Sequence, residues 1–448
     1  MPRPPPSGAA ATASDQRLRL YRWYDPAILV TAALAGSAGF AQFGVSSALA
    51  DVARSFGQPT STGSSVAANV GLSFTVLGIG LAIIRLAALG SLPLSGLADR
   101  LGRRRVLLGC TAGGLAISAL AALSPGYWWF VALFALGRPL LSGTNAVSGV
   151  IAAEETRSRD RAKAIALVTA GWGAGTGAIA VVRGVAGDAL SWRGLFALLV
   201  IPLALIPLFS RWLEEPDRFR RSRAGAPRQP AAAGPSGGVA GATVRPGRFL
   251  ARPSPALRPR LWLIAVLTAM LGFVTGPANA MMFVYAESVL GLPRSATAAM
   301  VAAAGVLGLC GLIAGRWAAD RLGRRYTAGT MQAVIALAAV LTYSGSAAAA
   351  VTGYLLAICA ASVFSPAAGA LATEMFPTSV RTTVAGWMSV GGVLGAVCGL
   401  IVFGLLVTAL NSFWVAAVMV ALPVVALCPL YGRFPETLGM ELEESAPE

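Results

Sequence analysis

Asp99-Arg100-Leu101-Gly102-Arg103-Arg104 recurs as Asp320-Arg321-Leu322-Gly323-Arg324-Arg325, and each copy fills the short polar gap behind a long apolar run. Two further landmarks keep almost the same spacing. Glu154 with Arg161 returns as Glu374 with Arg381, and Pro216-Asp217 returns as Pro435-Glu436. The offsets are 221, 220 and 219 residues (99 to 320, 154 to 374, 216 to 435), so the chain is a duplication whose halves match over most of their length.

What is duplicated is a membrane bundle. Of 448 residues, 56% are hydrophobic and only 12% charged, and the mean hydropathy is +0.69; no soluble domain of this size has such a composition. Runs of about 20 residues with few charges fall at about 27–49, 73–96, 105–124, 128–151, 164–183, 193–213, 261–285, 295–317, 327–346, 350–373, 383–408 and 411–432. Backbone groups in hydrocarbon must bond within their own segment, and the runs are too long and too evenly apolar for barrel strands, so twelve helices are predicted. The fold class is an all-α membrane protein of two pseudo-symmetric six-helix bundles.

A net charge of +16 could suggest a nucleic-acid partner, but its distribution excludes one. Of 35 Lys and Arg, 29 lie in the tails and alternate loops on one side; Arg54, Arg183, Arg193 and Arg294 lie on the other, and Arg85 and Arg138 lie inside helices. The bias predicts both termini in the cytoplasm of an inner-membrane, multi-pass protein. The expected organisation is a cytoplasmic tail 1–26, a bundle 27–213, an Arg-, Pro- and Gly-rich linker 214–260, a bundle 261–432 and a cytoplasmic tail 433–448. The linker serves either as a flexible positive-inside tether or as a site for anionic lipid. Residues 1–26 have no apolar core, so the first span is expected to act as its own uncleaved insertion signal. The five cysteines all fall inside predicted helices without metal-ligand spacing, and buried free thiols are expected.

These residues resemble the major facilitator superfamily over nearly the whole chain. Its loop signature between helices 2 and 3 is met by Ser95-Gly96-Leu97-Ala98-Asp99-Arg100-Leu101-Gly102-Arg103-Arg104, whereas Arg316-Trp317-Ala318-Ala319 before Asp320 departs from it at the packing position. Trp192-Arg193-Gly194-Leu195-Phe196, Glu374-Met375-Phe376-Pro377-Thr378 with Arg381, and Pro435-Glu436-Thr437-Leu438-Gly439 also match. The tail and the Glu-to-Arg loops are most similar to the branch of sugar porters and proton-coupled carriers of metabolites and aromatic acids. The helix-5 signature of drug antiporters, Gly-Pro-x-x-Gly-Gly, is replaced by Gly171-Trp172-Gly173-Ala174-Gly175-Thr176-Gly177, which reads as small-residue packing.

The resemblance implies alternating access, with a cytoplasmic gate formed by Asp99, Arg103, Glu155, Arg161, Asp320, Arg324, Glu374 and Arg381. The residues allow this independently: Gly102 and Gly323 suit the positive backbone angle of a tight two-helix turn, and Asp99 or Asp320 favours a helix N-terminus. The plainer reading is that these charges fix only topology and loop shape. Exposed pairs are worth about 0–1 kcal/mol each, so a gate needs the whole network.

No histidine exists, and none of the 19 carboxylates falls near the middle of a span. Two arginines do: Arg85 and Arg138, at a cost of roughly 2.5–3.5 kcal/mol each on insertion scales. Arg138, Ser142 and Asn145 share one face of helix 4 by their i, i+4, i+7 spacing. Gln42 in helix 1, Asn279 in helix 7, and Trp172 and Trp387 in helices 5 and 11 lie on helices that line the cavity in the resembled superfamily, so the candidate substrate set is Arg85, Arg138, Gln42, Ser142, Asn145, Trp172, Asn279 and Trp387. Each could instead bond or pack within the bundle. The acid that the resembled symporters carry in helix 1 is missing, where Phe40-Ala41-Gln42-Phe43-Gly44 stands. Asp51 and Glu287, near the outer ends of helices 1 and 7, remain as coupling candidates.

A positive cavity without an internal countercharge suits an anionic solute. The expected function is secondary or facilitative transport of a small organic anion such as a carboxylate, with protons or a counter-anion as coupling partner, the lipid bilayer as surroundings and a monomer as the working unit. Proton-driven efflux of a hydrophobic compound is the alternative, and a non-transporting solute sensor a remoter one. No cofactor, metal site or enzyme is expected. The loops hold no nucleophile–base set, and Lys163, the single lysine, follows Ala162, which rules out a phosphate-binding Gly-Lys-Ser or Gly-Lys-Thr loop.

Overall fold

The computed structural model describes residues 21–57, 70–157, 159–213, 257–377 and 380–438. Most of the expected linker 214–260 and the greater part of both expected tails lie outside the described residues, as do the side chains of Asp99 and Arg381.

Twelve long helices run alternately up and down. They are α1 (Pro26–Ser47), α2 (Phe74–Ala98), α3 (Arg103–Leu120), α4 (Tyr127–Glu154), α5 (Arg161–Ala186), α6 (Trp192–Trp212), α7 (Arg258–Val289), α8 (Arg294–Leu322), α9 (Arg324–Thr342), α10 (Ala347–Glu374), α11 (Arg381–Leu410) and α12 (Phe413–Leu427). Eleven of these regions are long and apolar enough to cross a membrane. The other, α9, begins Arg-Arg-Tyr-Thr, which lowers its hydropathy, but it packs along α10 and brings Arg324 beside Glu374 at one end. It therefore runs to the same depth as its neighbour. Large apolar side chains such as Ile313, Leu422, Trp262 and Val185 point away from the protein, as a lipid-facing surface requires.

The turns between paired helices form as the repeat predicts. Gly102 and Gly323, with φ of 104° and 98°, join α2 to α3 and α8 to α9, where a side chain would be strained. We call this the basic end. At the opposite, far end, four of the helices that start there are capped by serine: Ser73, Ser191, Ser346 and Ser412 accept the amide of the residue three further on. The basic end is built differently. Arg103, Arg161, Arg258, Arg324 and Arg381 each open a helix there, where the positive pole of that helix opposes them. Helix energetics therefore do not account for their position; the repeat's charge asymmetry does.

Each half has a matching helix pair in backbone contact. The carbonyls of Ala32 and Gly36 in α1 occupy the space a Cβ would need at Gly171 and Gly175 in α5, and those of Ala269 and Phe273 in α7 do the same at Gly395 and Gly399 in α11. The small-residue run in helix 5 is thus a packing seam. Between the halves, α2 packs on α11 and α5 on α8.

Candidate functional site

Both intramembrane arginines stand at helix irregularities. Arg85 lies in the last turn of the regular segment Phe74–Ala87, and a 3-10 turn, Ala88–Gly90, follows before the helix resumes at Ser91. Arg138 immediately precedes Pro139 inside α4. Gly90 faces the Pro139 ring so closely that a Cβ would touch it, so the two breaks meet, and the two guanidinium groups are near enough for their charges to repel.

Neither arginine forms an ion pair or hydrogen bond with a described residue. The Arg138 Nε is buried without a partner, as are Gln42 Nε2, Asn145 Oδ1 and, one turn beyond the expected stripe of α4, Ser148 Oγ. Unbonded buried polar atoms are uncommon, and their clustering on α1 and α4 makes this the polar interior of the N-terminal half. Ser142 is half-buried between Arg138 and Asn145. Asn279 instead donates to the Thr275 carbonyl of its own helix at 3.0 Å. Trp172 and Trp387 are 38% and 46% exposed; Trp172 rests its ring edge and carbonyl on Gly39 of α1.

Asp51 and Glu287 come together at the far end. Arg183 of α5 holds both: its Nη2 reaches Asp51 Oδ2 at 2.7 Å and Glu287 Oε2 at 2.6 Å, and its Nη1 reaches Glu287 Oε1 at 2.5 Å. Arg294, which opens α8, crosses the other way to Asp51 Oδ1 at 2.7 Å and also pairs with Asp188 at 3.1 Å. Arg54 adds a contact to Asp51 at 2.8 Å, and Thr297 donates to Glu287 at 3.1 Å. Three cations and three anions thus balance. The Arg183 and Glu287 side chains are only 5% and 3% exposed. Because Asp51 and Arg183 belong to the first half and Glu287 and Arg294 to the second, the pairs are reciprocal ties between halves. Beside them Thr75 of α2 bonds Thr408 of α11 at 3.0 Å. Glu287 sits in a π-turn, Tyr285–Val289, that ends α7.

Sequence reasoning singled out both acids but treated Arg183 and Arg294 as loop charges; opposite charges at matching helix ends were the available signal.

At the basic end the resolved ion pairs stay within a half. Arg324 meets Glu374 at 2.7 Å, and Glu436 accepts the Arg324 amide at 2.9 Å. Arg103 meets Glu154, and the carbonyl of the neighbouring Glu155 accepts the Tyr21 amide at 2.7 Å. In each pair an arginine at a helix start lies beside a glutamate at the end of the antiparallel neighbour, so each charge is compensated by the adjacent helix as well as by its partner. Asp320 is exposed, and Arg161 Nε is buried without a hydrogen bond. Ties between halves at one end and pairs within halves at the other describe a bundle closed at its far end.

The sequence model of the Major Facilitator Superfamily matches residues 31–319 and 300–439. A protein of Pseudomonas aeruginosa named "Transcription regulatory protein OpdE" is 32% identical over 170 residues, 38% of this chain and 42% of that one. The "Probable 4-methylmuconolactone transporter" of Cupriavidus pinatubonensis is 26% identical over 391 residues, covering 83% of this chain and 85% of its own. The "3-(3-hydroxy-phenyl)propionate transporter" of Escherichia coli is 34% identical over 137 residues, 29% and 32% of the two chains. Among solved structures, the inward open conformation of the xylose transporter XylE from E. coli aligns over 93% of this chain and 98% of its own with a TM-score of 0.68 at 18% identity.

Proposed function

Because the chain belongs to the major facilitator superfamily, and is therefore a multi-pass membrane transporter and not an enzyme, we propose that its cargo is a small organic anion held at Arg85 and Arg138. The observation that carries this reading is the pair of mid-span guanidinium groups with no countercharge among the described residues. A buried charge left unpaired is costly, and a carboxylate supplies the missing partner through charge-assisted bonds. The relative named for a phenylpropionate supports a carboxylate as the cargo class. Gln42, Ser142 and Asn145 would complete the first-half wall, with Trp172 and Trp387 beside it.

The halves 27–213 and 261–432 rock about this site. The charge bias places the basic end in the cytoplasm, so the described state faces inward, sealed outside by Asp51, Arg183, Glu287 and Arg294. In the opposite state those ties part and the Arg-rich loops close the inner side, with Asp99, Arg103, Glu155, Arg161, Asp320, Arg324, Glu374 and Arg381 as the gate set. Asp51 and Glu287 are released from Arg183 only when the halves separate, which makes them the coupling candidates if a proton gradient drives the cycle.

Uptake of labelled carboxylates into proteoliposomes tests the reading. Arg138→Ala is expected to lower uptake by at least tenfold while insertion and fold are retained; unchanged kinetics in both Arg138→Ala and Arg85→Ala would falsify it.

A further inference from the structure

We infer that the site at Arg85 and Arg138 takes a divalent anion, one negative charge for each guanidinium. This rests on the anion-carrier reading above and narrows it.

Two charge clusters among the described residues set the terms. At the far end Arg54, Arg183 and Arg294 face Asp51, Asp188 and Glu287, so the chain itself supplies one acid for each base. In the centre it supplies none: Arg85 and Arg138 stand beside the helix irregularities that meet at Gly90 and Pro139, and neither has an ionic partner among the described residues. A monovalent ligand would cancel one charge and leave the other guanidinium uncompensated in a low-dielectric interior. A ligand with two negative charges restores the one-to-one balance seen at the far end.

The unbonded atoms point the same way. Of the unbonded atoms on this wall Arg138 Nε and Gln42 Nε2 donate, Asn145 Oδ1 accepts and Ser148 Oγ can do either, so donors outnumber fixed acceptors, as an acceptor-rich solute requires. Each guanidinium presents a planar fork that suits one carboxylate or two oxygens of a compact oxyanion.

The test compares ligands of equal carbon number on the purified full-length protein, at neutral pH and constant ionic strength. Succinate is measured against butyrate, and phthalate against 2-methylbenzoate, with sulfate as the compact dianion. Thermal stabilisation and direct titration both report binding. The divalent member of each pair is expected to bind roughly 10- to 100-fold more tightly, the worth of one further charge-assisted interaction. Arg85→Gln is expected to bring the succinate-to-butyrate ratio to about one while butyrate still binds. Sulfate binding more tightly than either dicarboxylate also supports two charges and assigns them to one compact group. Equal affinity for mono- and dicarboxylates in the unaltered protein overturns the inference and leaves the anion-carrier reading intact; that comparison needs no variant to fold. If none of the five anions binds, both fall together.

Discussion

The far end and the centre of this transporter handle the same problem, an arginine held away from water, in opposite ways. Arg183 is held by two carboxylates, one of them also bonded by Thr297, within a cluster whose charges cancel. Arg85 and Arg138 have no ionic partner among the described residues. The lesson is that burial of a charge does not define its role. A balanced cluster whose members come from different halves ties those halves together, whereas the pair within one half is where the proposed anion would bring the missing charge.

The largest expected effect comes from unbalancing the balanced cluster. Arg183→Ala leaves Glu287 almost fully buried with Thr297 as its remaining partner, which should weaken the closed far end by about 3–5 kcal/mol. A Thr408→Cys reporter in a cysteine-free background should then react with a bulky reagent from the far side far faster than in the parent. The double variant Arg183→Ala/Glu287→Ala should regain much of the closure, since no orphan charge remains. Equal labelling in all three proteins would show that the joint is ornamental.

A steric break ranks next. The carbonyls of Leu400 and Phe74 stand where a Cβ would go at Gly78 and Gly404, at the crossing of α2 and α11. Gly404→Ala should therefore cost the closed state about 1–3 kcal/mol and raise labelling without touching any charge. If it does so while Arg183→Ala does not, packing rather than ion pairing holds the far end shut.

The smallest effect is expected where pairs stay within a half. Arg324→Gln removes the Glu374 pair, which is partly exposed, and should change stability by about 1 kcal/mol or less. Its influence on turnover should show only if Arg324 exchanges partners across the halves during the cycle, so a turnover change without a stability change sharpens the contrast between the two ends.

The duplication and the helices could be read from Asp320-Arg321-Leu322-Gly323-Arg324-Arg325, its first copy and the apolar runs around them, because loop chemistry and apolar length are local properties. The ties of Arg183 and Arg294 could not. They depend on how α5 and α8 rotate against each other, and helices that are apolar all round carry no stripe that fixes such a rotation. For the same reason the break at Ala88–Gly90, which brings Arg85 to Arg138, is absent from the sequence pattern: Ala-Ala-Leu-Gly reads as uninterrupted helix. Of the candidate wall residues, Arg138 and Asn145 announced themselves through spacing, whereas Asn279, bonded to its own helix, shows how little a polar letter alone decides.

The π-turn Tyr285–Val289 closes with the Leu290 amide on the Tyr285 carbonyl, 3.0 Å apart, so it holds one residue more than an α-turn. Deleting Ala286 would swing Glu287 by about 100° around the axis, away from Arg183, while barely altering composition or hydropathy. The outer joint of this carrier is thus tied to reading length as well as to spelling, and a one-residue deletion would disable it where most point changes along the same turn would not.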